Sequence, residues 1–338
     1  MSDRNPNKPP LSNDSLDLIP TTEFRGPRLT FDFPDLEIGI AEYAEGPTGC
    51  TVFAFGHSAV AAVDIRGGAH ATLYTEPLQN GEGKLDAICL AGGSFYGLEA
   101  AAGVAAELLA QRAYSPHWGN IALVSGAIIY DYGPRANAVY PDKALGRAAL
   151  KAARPGVFPL GPRGAGRSAT VGKWLQKPYR SERAGQGGAF REAEGVKVAV
   201  FTVVNAVGAI LNRHSRVVRG SLDPRTGERP RVADAGLPAP PPPGNTTLTV
   251  VVTNQILGGW SLRQLARHVH TSMARAIEPL HTISDGDVLY AVTTNAIPQA
   301  EGLNEYVLSA LASETAWDAV LASFGDEESP RAGESDPY

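Results

Sequence analysis

Short apolar runs alternate with amphipathic stretches along the chain. Cys50–Phe55, Ala59–Asp64, Ile121–Ile129, Val196–Val204, Leu248–Thr253 and Val288–Thr293 are mostly β-branched and flanked by Gly, Asn or Asp, which predicts strands. Their apolar character is largely continuous, as in sheets covered on both faces. Over Leu98–Arg112, residues Leu98, Ala101, Ala105, Leu108 and Leu109 share one helical face. A second helix is predicted over Leu262–Ile277, where Leu262, Leu265, Ala266, Val269, Met273 and Ile277 form a stripe. Ser261 and Gln264 stand at capping-box spacing at its start. A third helix is expected over Val307–Phe324. Strands interleaved with helices indicate the α/β or α+β class. Two helix layers around two sheets and a doubly wound single sheet fit this count equally well.

One segment breaks the pattern. Asp223–Gly244 carries two basic turns and then Pro238 and Pro240 to Pro243, which fit neither a helix nor a central strand. It reads as a long exposed loop, and it ends in Gly244-Asn245-Thr246-Thr247 directly before an apolar strand. Residues 1–28, rich in Pro, Asn, Asp and Ser, read as a disordered or loosely draped arm. Residues 325–338 read as an acidic solvated tail, leaving one domain over 29–324.

Charge and composition narrow the partners. A formal net charge of −5 argues against a broad nucleic-acid surface. No apolar run reaches the roughly 18 residues of a membrane span, and the N-terminus lacks the basic start and apolar stretch of a signal peptide. Cys50 and Cys89 lie inside apolar runs and read as buried free thiols, with the cytoplasm as the expected compartment.

The junction Asn245–Thr246 is where chemistry is expected. A threonine hydroxyl is a weak nucleophile until a base sits beside it, and a free α-amino group on the same residue can be that base. Its ordinary pKa, roughly 7.7–8.0, leaves much of it neutral near neutral pH. To free that amine the chain must cut its own Asn245–Thr246 bond, by attack of the Thr246 hydroxyl on the Asn245 carbonyl and hydrolysis of the ester. Local sequence by itself fits an ordinary loop-to-strand junction as well. Asn245-Thr246-Thr247 also matches a glycosylation sequon, which carries no weight without a signal peptide.

Several further stretches bear on this reading. They are Phe31-Asp32-Phe33-Pro34, Glu45-Gly46-Pro47-Thr48-Gly49, Ile88-Cys89-Leu90-Ala91-Gly92-Gly93 and Tyr96-Gly97-Leu98-Glu99-Ala100, followed by Ile129-Tyr130-Asp131. Tyr140-Pro141-Asp142-Lys143-Ala144-Leu145-Gly146-Arg147, Gly164-Ala165-Gly166, Gly185-Gln186-Gly187 and Asp285-Gly286-Asp287 continue the series. With the junction, they resemble in order the self-processing N-terminal nucleophile hydrolases that include the β-aminopeptidases and D-aminopeptidases, most of all the branch that hydrolyses nylon oligomers. The resemblance spans about Phe31 to Phe324 and leaves out both tails.

That resemblance implies a four-layer αββα sandwich made of an α chain (1–245) and a β chain (246–338) that stay together, in a homo-oligomer, a tetramer of αβ units. It makes Thr246 the nucleophile and implies that the side-chain amide of Asn205 holds the oxyanion. It places Lys173 against Thr246, where its charge favours the neutral α-amine, and gives Tyr130 a second hydroxyl donor role. Asp285 and Asp287 are placed near the amine. The implied substrate is a small amide oligomer of 6-aminohexanoate, cut at internal bonds, with no cofactor and no essential metal.

Read without the resemblance, Asn205 is a turn residue after a strand, Lys173 a solvated charge, and Asp285-Gly286-Asp287 a turn or half of a cation site. Gly92-Gly93-Ser94-Phe95-Tyr96-Gly97 enters a helix like a phosphate loop, but no Gly-Lys-Ser/Thr follows, so a tight pocket-lining loop is expected. His268 and His270 point to different helix faces and make a poor metal pair, and His281 reads as a structural hydrogen-bonder. Phe95, Tyr96, Tyr130 and Trp174 are candidate walls of an apolar substrate channel. Asn205-Ala206-Val207-Gly208 is closer to the aminopeptidase branch, where the nylon branch has proline after the asparagine. An aminopeptidase that needs a free substrate amine therefore stands as the second reading, and a ligand-binding protein that never cuts itself as the third.

Overall fold

Val198, Val200 and Val204 pack to one side of their strand, and Ala199, Phe201 and Val203 to the other. Both sides of the strand are apolar because both are covered, which is why the sequence shows no polar alternation there. The structure, a computed structural model, describes residues 10–234 and 244–325. Its principal elements are β1 (Leu36–Tyr43), β2 (Thr48–Ile65), β3 (Gly83–Ala91), α1 (Leu98–Gln111), β4 (Val124–Ile128) and α2 (Lys143–Lys151). They continue with β5 (Gln186–Ala193), β6 (Val196–Asn205), β7 (Thr246–Gln255), α3 (Gly259–Ser272), β8 (Val288–Ile297) and α4 (Glu305–Leu321).

The main strands join in the order β5-β6-β7-β8-β2-β3-β4, with β1 beside the first half of β2. β2 is 18 residues long and belongs to both halves of this curled sheet. Its first half pairs with β1 and its second with β8, while β3 follows it on the other edge through a register shift between Ala54 and Ala59. The predicted strands Cys50–Phe55 and Ala59–Asp64 are thus one bent strand.

The two halves face each other across an aromatic core. Phe201 lies 4.8 Å from Phe158, 5.3 Å from Phe53 and 5.4 Å from Phe31, ring centre to ring centre. Leu248, Val250 and Val252 of β7 and Val288, Tyr290 and Val292 of β8 complete it. α1 and α2 cover the outer face of β1 to β4 through Val104, Leu145 and Ala149 against Val52 and Cys89. α3 and α4 cover the outer face of β6 to β8 through Leu265, Val269, Leu308 and Ala316 against Val198, Val251 and Leu289. This is the four-layer αββα sandwich. Each fully buried Phe, Leu or Val contributes about 1.5–3 kcal/mol over leaving it exposed.

Several boundaries differ from expectation. α3 starts at Gly259, capped by Gly258 without a side-chain bond, so Ser261 lies inside the helix and no capping box forms with Gln264. The Ser261 hydroxyl instead donates to Glu305 at 2.6 Å and ties α3 to α4. The helix ends at Ser272, and Ile277–Glu278 pairs as a short strand with Ala209–Ile210. α4 begins two residues earlier than predicted, capped by Asn304, whose side chain accepts the N–H groups of Tyr306 and Val307. Of Ile121–Ile129 only Val124–Ile128 is strand; Leu123 before it is pinned through its N–H to Asp86. β1, β5 and the short helix α2 were not among the expected elements, although Leu36, Ile38 and Ile40 alternate along β1 and Leu145, Ala149 and Leu150 line one buried face of α2.

In the arm, Asn13 donates to Tyr140 O at 3.1 Å and to Asp142 at 3.0 Å, and Thr21 bridges Glu42. The proline-rich end of the predicted loop (235–243), the first nine residues and residues 326–338 lie outside the described residues. No helix among the described residues is long and apolar enough to cross a membrane.

Candidate active site at the Asn245–Thr246 junction

Antiparallel register sets the last residue of β6 opposite the first of β7, so Asn205 pairs with Thr246. β8 runs parallel to β7 on its other side, and the turn before β8 brings Asp285, Gly286 and Asp287 to the same end. Three segments far apart in sequence therefore meet at the junction. Asn245 and Thr246 are almost wholly buried, at 1% and 4% exposure.

The carbonyl at the junction is held by two donors. Thr246 Oγ1 donates to the Asn245 carbonyl oxygen at 2.5 Å, and the Gly286 N–H donates to the same oxygen at 2.7 Å. A carbonyl that accepts two donors is polarised, and its carbon becomes more electrophilic. Position 286 leaves little room for a side chain: a β-carbon there would lie 2.8 Å from Thr246 Oγ1 and 3.1 Å from Ala69 O. Gly244 sits at φ +91°, and a β-carbon would meet the Tyr130 ring at 2.6 Å.

Asn205 organises the other side. Its Oδ1 accepts the Thr170 N–H and the Lys173 ammonium, each at 3.0 Å, and its backbone oxygen accepts Lys173 Nζ at 2.9 Å. Its Nδ2 donates to Tyr130 O at 2.9 Å and to Gly244 O at 3.4 Å. Lys173 is carried there by its own N–H, which donates to Val207 O at 2.9 Å. Tyr130 is 41% exposed and reaches the site through its carbonyl and its ring.

Burial shapes the charges. It pushes the Lys173 ammonium down to about 7, partly offset by attraction to Asp285. It pushes the Asp285 carboxyl up to about 6, helped by the like charge of Asp287 and opposed by Thr282 and Lys173. Asp285 Oδ2 accepts the Thr282 N–H at 2.7 Å, while its Oδ1 is buried with no hydrogen-bond partner among the described residues. Asp287 Oδ1 accepts the Thr247 N–H at 2.6 Å, and Oδ2 accepts from the backbone N–H of His281 at 3.0 Å. Three of these four carboxyl oxygens thus hold backbone N–H groups of the turn and of β7 in place.

The structure thus gathers Thr246, Asn205, Lys173, Tyr130, Asp285 and Asp287 around one peptide bond. Gly286, Gly244 and His281 were not among the expected site residues. The glycine's signal was its place between two aspartates, where a turn presses backbone against the strand start. Phe95 and Tyr96, at 69% and 63% exposure, follow Ser94, whose N–H donates to Ile129 O at 2.9 Å beside Tyr130. Trp174 is half-buried.

Residues 29–325 match the sequence model of peptidase family S58. The chain belongs to that family. It is therefore a hydrolase of amide bonds. A 6-aminohexanoate-oligomer endohydrolase from Agromyces sp. (strain KY5R) is 46% identical over 327 residues, covering 91% of this chain and 89% of the relative. Among solved structures, the L-aminopeptidase D-Ala-esterase/amidase of Ochrobactrum anthropi, described as a variant of the Ntn hydrolase fold, superposes with a TM-score of 0.61 at 15% identity, covering 89% of this chain and 88% of that one. A Burkholderia sp. β-aminopeptidase superposes with a TM-score of 0.60 at 18% identity, covering 88% of each. At such identities these two structures speak for the fold alone.

Proposed function

We propose that the chain cuts its own Asn245–Thr246 bond and then uses Thr246 as an N-terminal nucleophile against internal amide bonds of 6-aminohexanoate oligomers. The observation that carries this is the Thr246 hydroxyl 2.5 Å from the oxygen of the carbonyl before it, with the Gly286 N–H on that same oxygen. Thr246 Oγ attacks the Asn245 carbonyl carbon and gives up its proton to a base, for which Lys173 near neutrality is suited. The C–N bond breaks, the Thr246 nitrogen takes a proton, and an ester joins Asn245 to Thr246 Oγ. Water hydrolyses the ester, leaving the Asn245 carboxylate and a free amine on Thr246. The unpartnered Asp285 Oδ1 is the acceptor awaiting that amine.

Cutting also uncovers the nucleophile. Gly244 O now occupies Asn205 Nδ2, and Gly244 packs on Tyr130. Once the segment withdraws, Asn205 Nδ2 is released toward a substrate oxyanion, with the Tyr130 hydroxyl as second donor. The mature amine takes the hydroxyl proton, and the charge of Lys173 keeps that amine neutral. Thr246 Oγ attacks the substrate carbonyl, the C–N bond breaks as the leaving amine takes the proton from the Thr246 amine, and water then hydrolyses the acyl ester on Thr246 to the free acid.

The name of the Agromyces relative supports the oligomer substrate, and exposed Phe95, Tyr96 and Tyr130 offer apolar surface for a methylene chain. The run Asn205-Ala206-Val207-Gly208 favours a second reading, release of N-terminal residues from peptides or amides. An amine-blocked 6-aminohexanoate oligomer separates the two, since an aminopeptidase rejects it. A cytoplasmic tetramer of αβ units completes the proposal; the free, buried Cys50 and Cys89 suit a reducing compartment. The test is an intact mass of the denatured protein with N-terminal sequencing. A fragment beginning Thr246-Thr247-Leu248 is expected, and a single uncut chain overturns the self-cleavage.

A further inference from the structure

Behind the junction runs a line of titratable groups that the cleavage chemistry leaves unused. His281 Nδ1 lies 2.8 Å from Asp287 Oδ2, the oxygen that also accepts the His281 backbone N–H, and is placed to donate to it. The His281 ring meets His270 edge-on, centres 4.3 Å apart. His270 Nδ1 lies 2.9 Å from Asp64 Oδ2, which also accepts Arg66 Nε at 2.6 Å. At the other end Asp287 holds the N–H of Thr247, the residue after the nucleophile.

We propose that His281, backed by His270 and Asp64, is a positioning residue that holds the Asp287 carboxyl on the Thr247 N–H and so fixes Thr246 at the scissile carbonyl. This rests on the self-cleaving reading above. Asp287 is 1% exposed, and a carboxyl so deep is held in place by the donors that surround it. It has the Thr247 and His281 N–H groups, and the imidazole adds the only side-chain donor shown for it among the described residues. His281 stands at φ +59°, a left-handed conformation that costs free energy at a non-glycine residue. Two bonds from one residue to one carboxylate oxygen hold it there.

The groups facing this carboxylate come from four places. β2 supplies Asp64 and, just beyond its end, Arg66, whose backbone N–H donates to Asp287 O at 3.1 Å. α3 supplies His270, which burial pushes toward the neutral form against the pull of Asp64. Burial pushes the Asp64 carboxyl up, but His270 and Arg66 outweigh it and hold the group below its ordinary range. Asp285 and His281 come from the turn before β8, and Lys173 acts from the far side through Asp285. The one direct imidazole partner of Asp287 is therefore His281, and losing it leaves that carboxyl with backbone donors alone among the described residues.

Oligomer hydrolysis is measured from about pH 4 to about pH 9, with melting temperatures, for the wild type, His281→Ala, His281→Asn and Asp64→Asn. His281→Ala is expected to move the acid limb of the rate profile up by about one pH unit and to lower kcat about tenfold with KM little changed. Asn tolerates positive φ and offers an amide N–H where Nδ1 stood, so His281→Asn restores the limb. Asp64→Asn, remote from the junction, moves the limb the same way by less. A wild-type limb in His281→Ala, with only the melting temperature lowered, overturns the proposal. Should that variant fail to fold, an unshifted limb in Asp64→Asn overturns it equally. The fragment masses of the wild type are read first: an uncut wild-type chain defeats the self-cleavage and this proposal together, whereas a cut one leaves the pH profiles to judge His281 alone.

Discussion

Lys173 donates twice to Asn205, at 2.9 Å to its backbone oxygen and at 3.0 Å to its side-chain oxygen. The double contact fixes which way the Asn205 amide faces: with Oδ1 held by Lys173 and Thr170, Nδ2 must point at the Tyr130 and Gly244 carbonyls. Asn205→Ala removes that donor and is expected to lower oligomer hydrolysis by about 10²-fold or more, or about 3 kcal/mol of barrier, read as kcat.

Thr246→Ala leaves the fold intact and removes the attacking oxygen. The purified variant is expected as one chain by mass, with no amide turnover. Thr246→Ser keeps the hydroxyl and is expected to yield the fragment 246–338.

The pH dependence of self-cleavage follows from two shifted groups. With neutral Lys173, near 7, as the proposed base and ionised Asp285, near 6, as the proposed partner of the new amine, self-cleavage is expected to quicken with pH through about 6 to 7. Lys173→Arg stays charged and is expected to slow self-cleavage at least about 100-fold, followed by gel across that range. Stability carries the same signature. From about 7 up to its ordinary 10.5 the unfolded chain holds the Lys173 proton and the folded chain does not, so this group adds stability as pH rises. Asp285 acts the other way. Between its ordinary 3.8 and about 6 the folded chain holds the extra proton, and that contribution is lost as pH rises through about 6. Lys173→Met should flatten the melting-temperature slope above pH 7.

Gly286→Ala places a methyl 2.8 Å from Thr246 Oγ1, closer than carbon and oxygen pack, so the hydroxyl or the turn must shift. A misplaced nucleophile costs about 10²-fold. The expected result is a protein that folds, with a melting temperature near wild type, and cuts itself slowly.

Phe201→Ala tests the core between the sheets. It empties the centre of the Phe31, Phe53 and Phe158 cluster and is expected to cost about 3–5 kcal/mol by urea denaturation of Thr246→Ala, a background chosen to be uncut.

The strands of the core were legible because β-branched runs such as Val196–Val204 carry their own signal, and the class followed from their interleaving with helices. Spacing could not choose between layer arrangements, since β2 spans both sheet halves and a bend at Ala54–Ala59 reads as a break. Thr246 stood out because a proline-rich loop ends at an apolar strand. Asn205, Lys173 and the aspartates had ordinary local readings and were singled out through the resemblance. The structure places them together through the register of β6 on β7 and of β7 on β8. His281 reads from the sequence as a structural hydrogen-bonder, and its two bonds to Asp287 bear that out, but its place at the junction and that of Gly286 depend on a backbone N–H and on contacts across the fold, which residue type does not encode.

The position of β7 has a consequence for the life of the molecule. A cut before Thr246 leaves the smaller piece supplying β7 and β8, hydrogen-bonded on one flank to β6 and on the other to β2, both from the larger piece. Pieces made by such a cut would be locked edge to edge by these strand pairings with no covalent bond between them. Folding must finish while the chain is whole, because afterwards recovery from unfolding requires two strangers to find each other in solution. Such a protein is durable by the slowness with which it opens, so its working lifetime is set by a rate, and once lost it does not return on cooling.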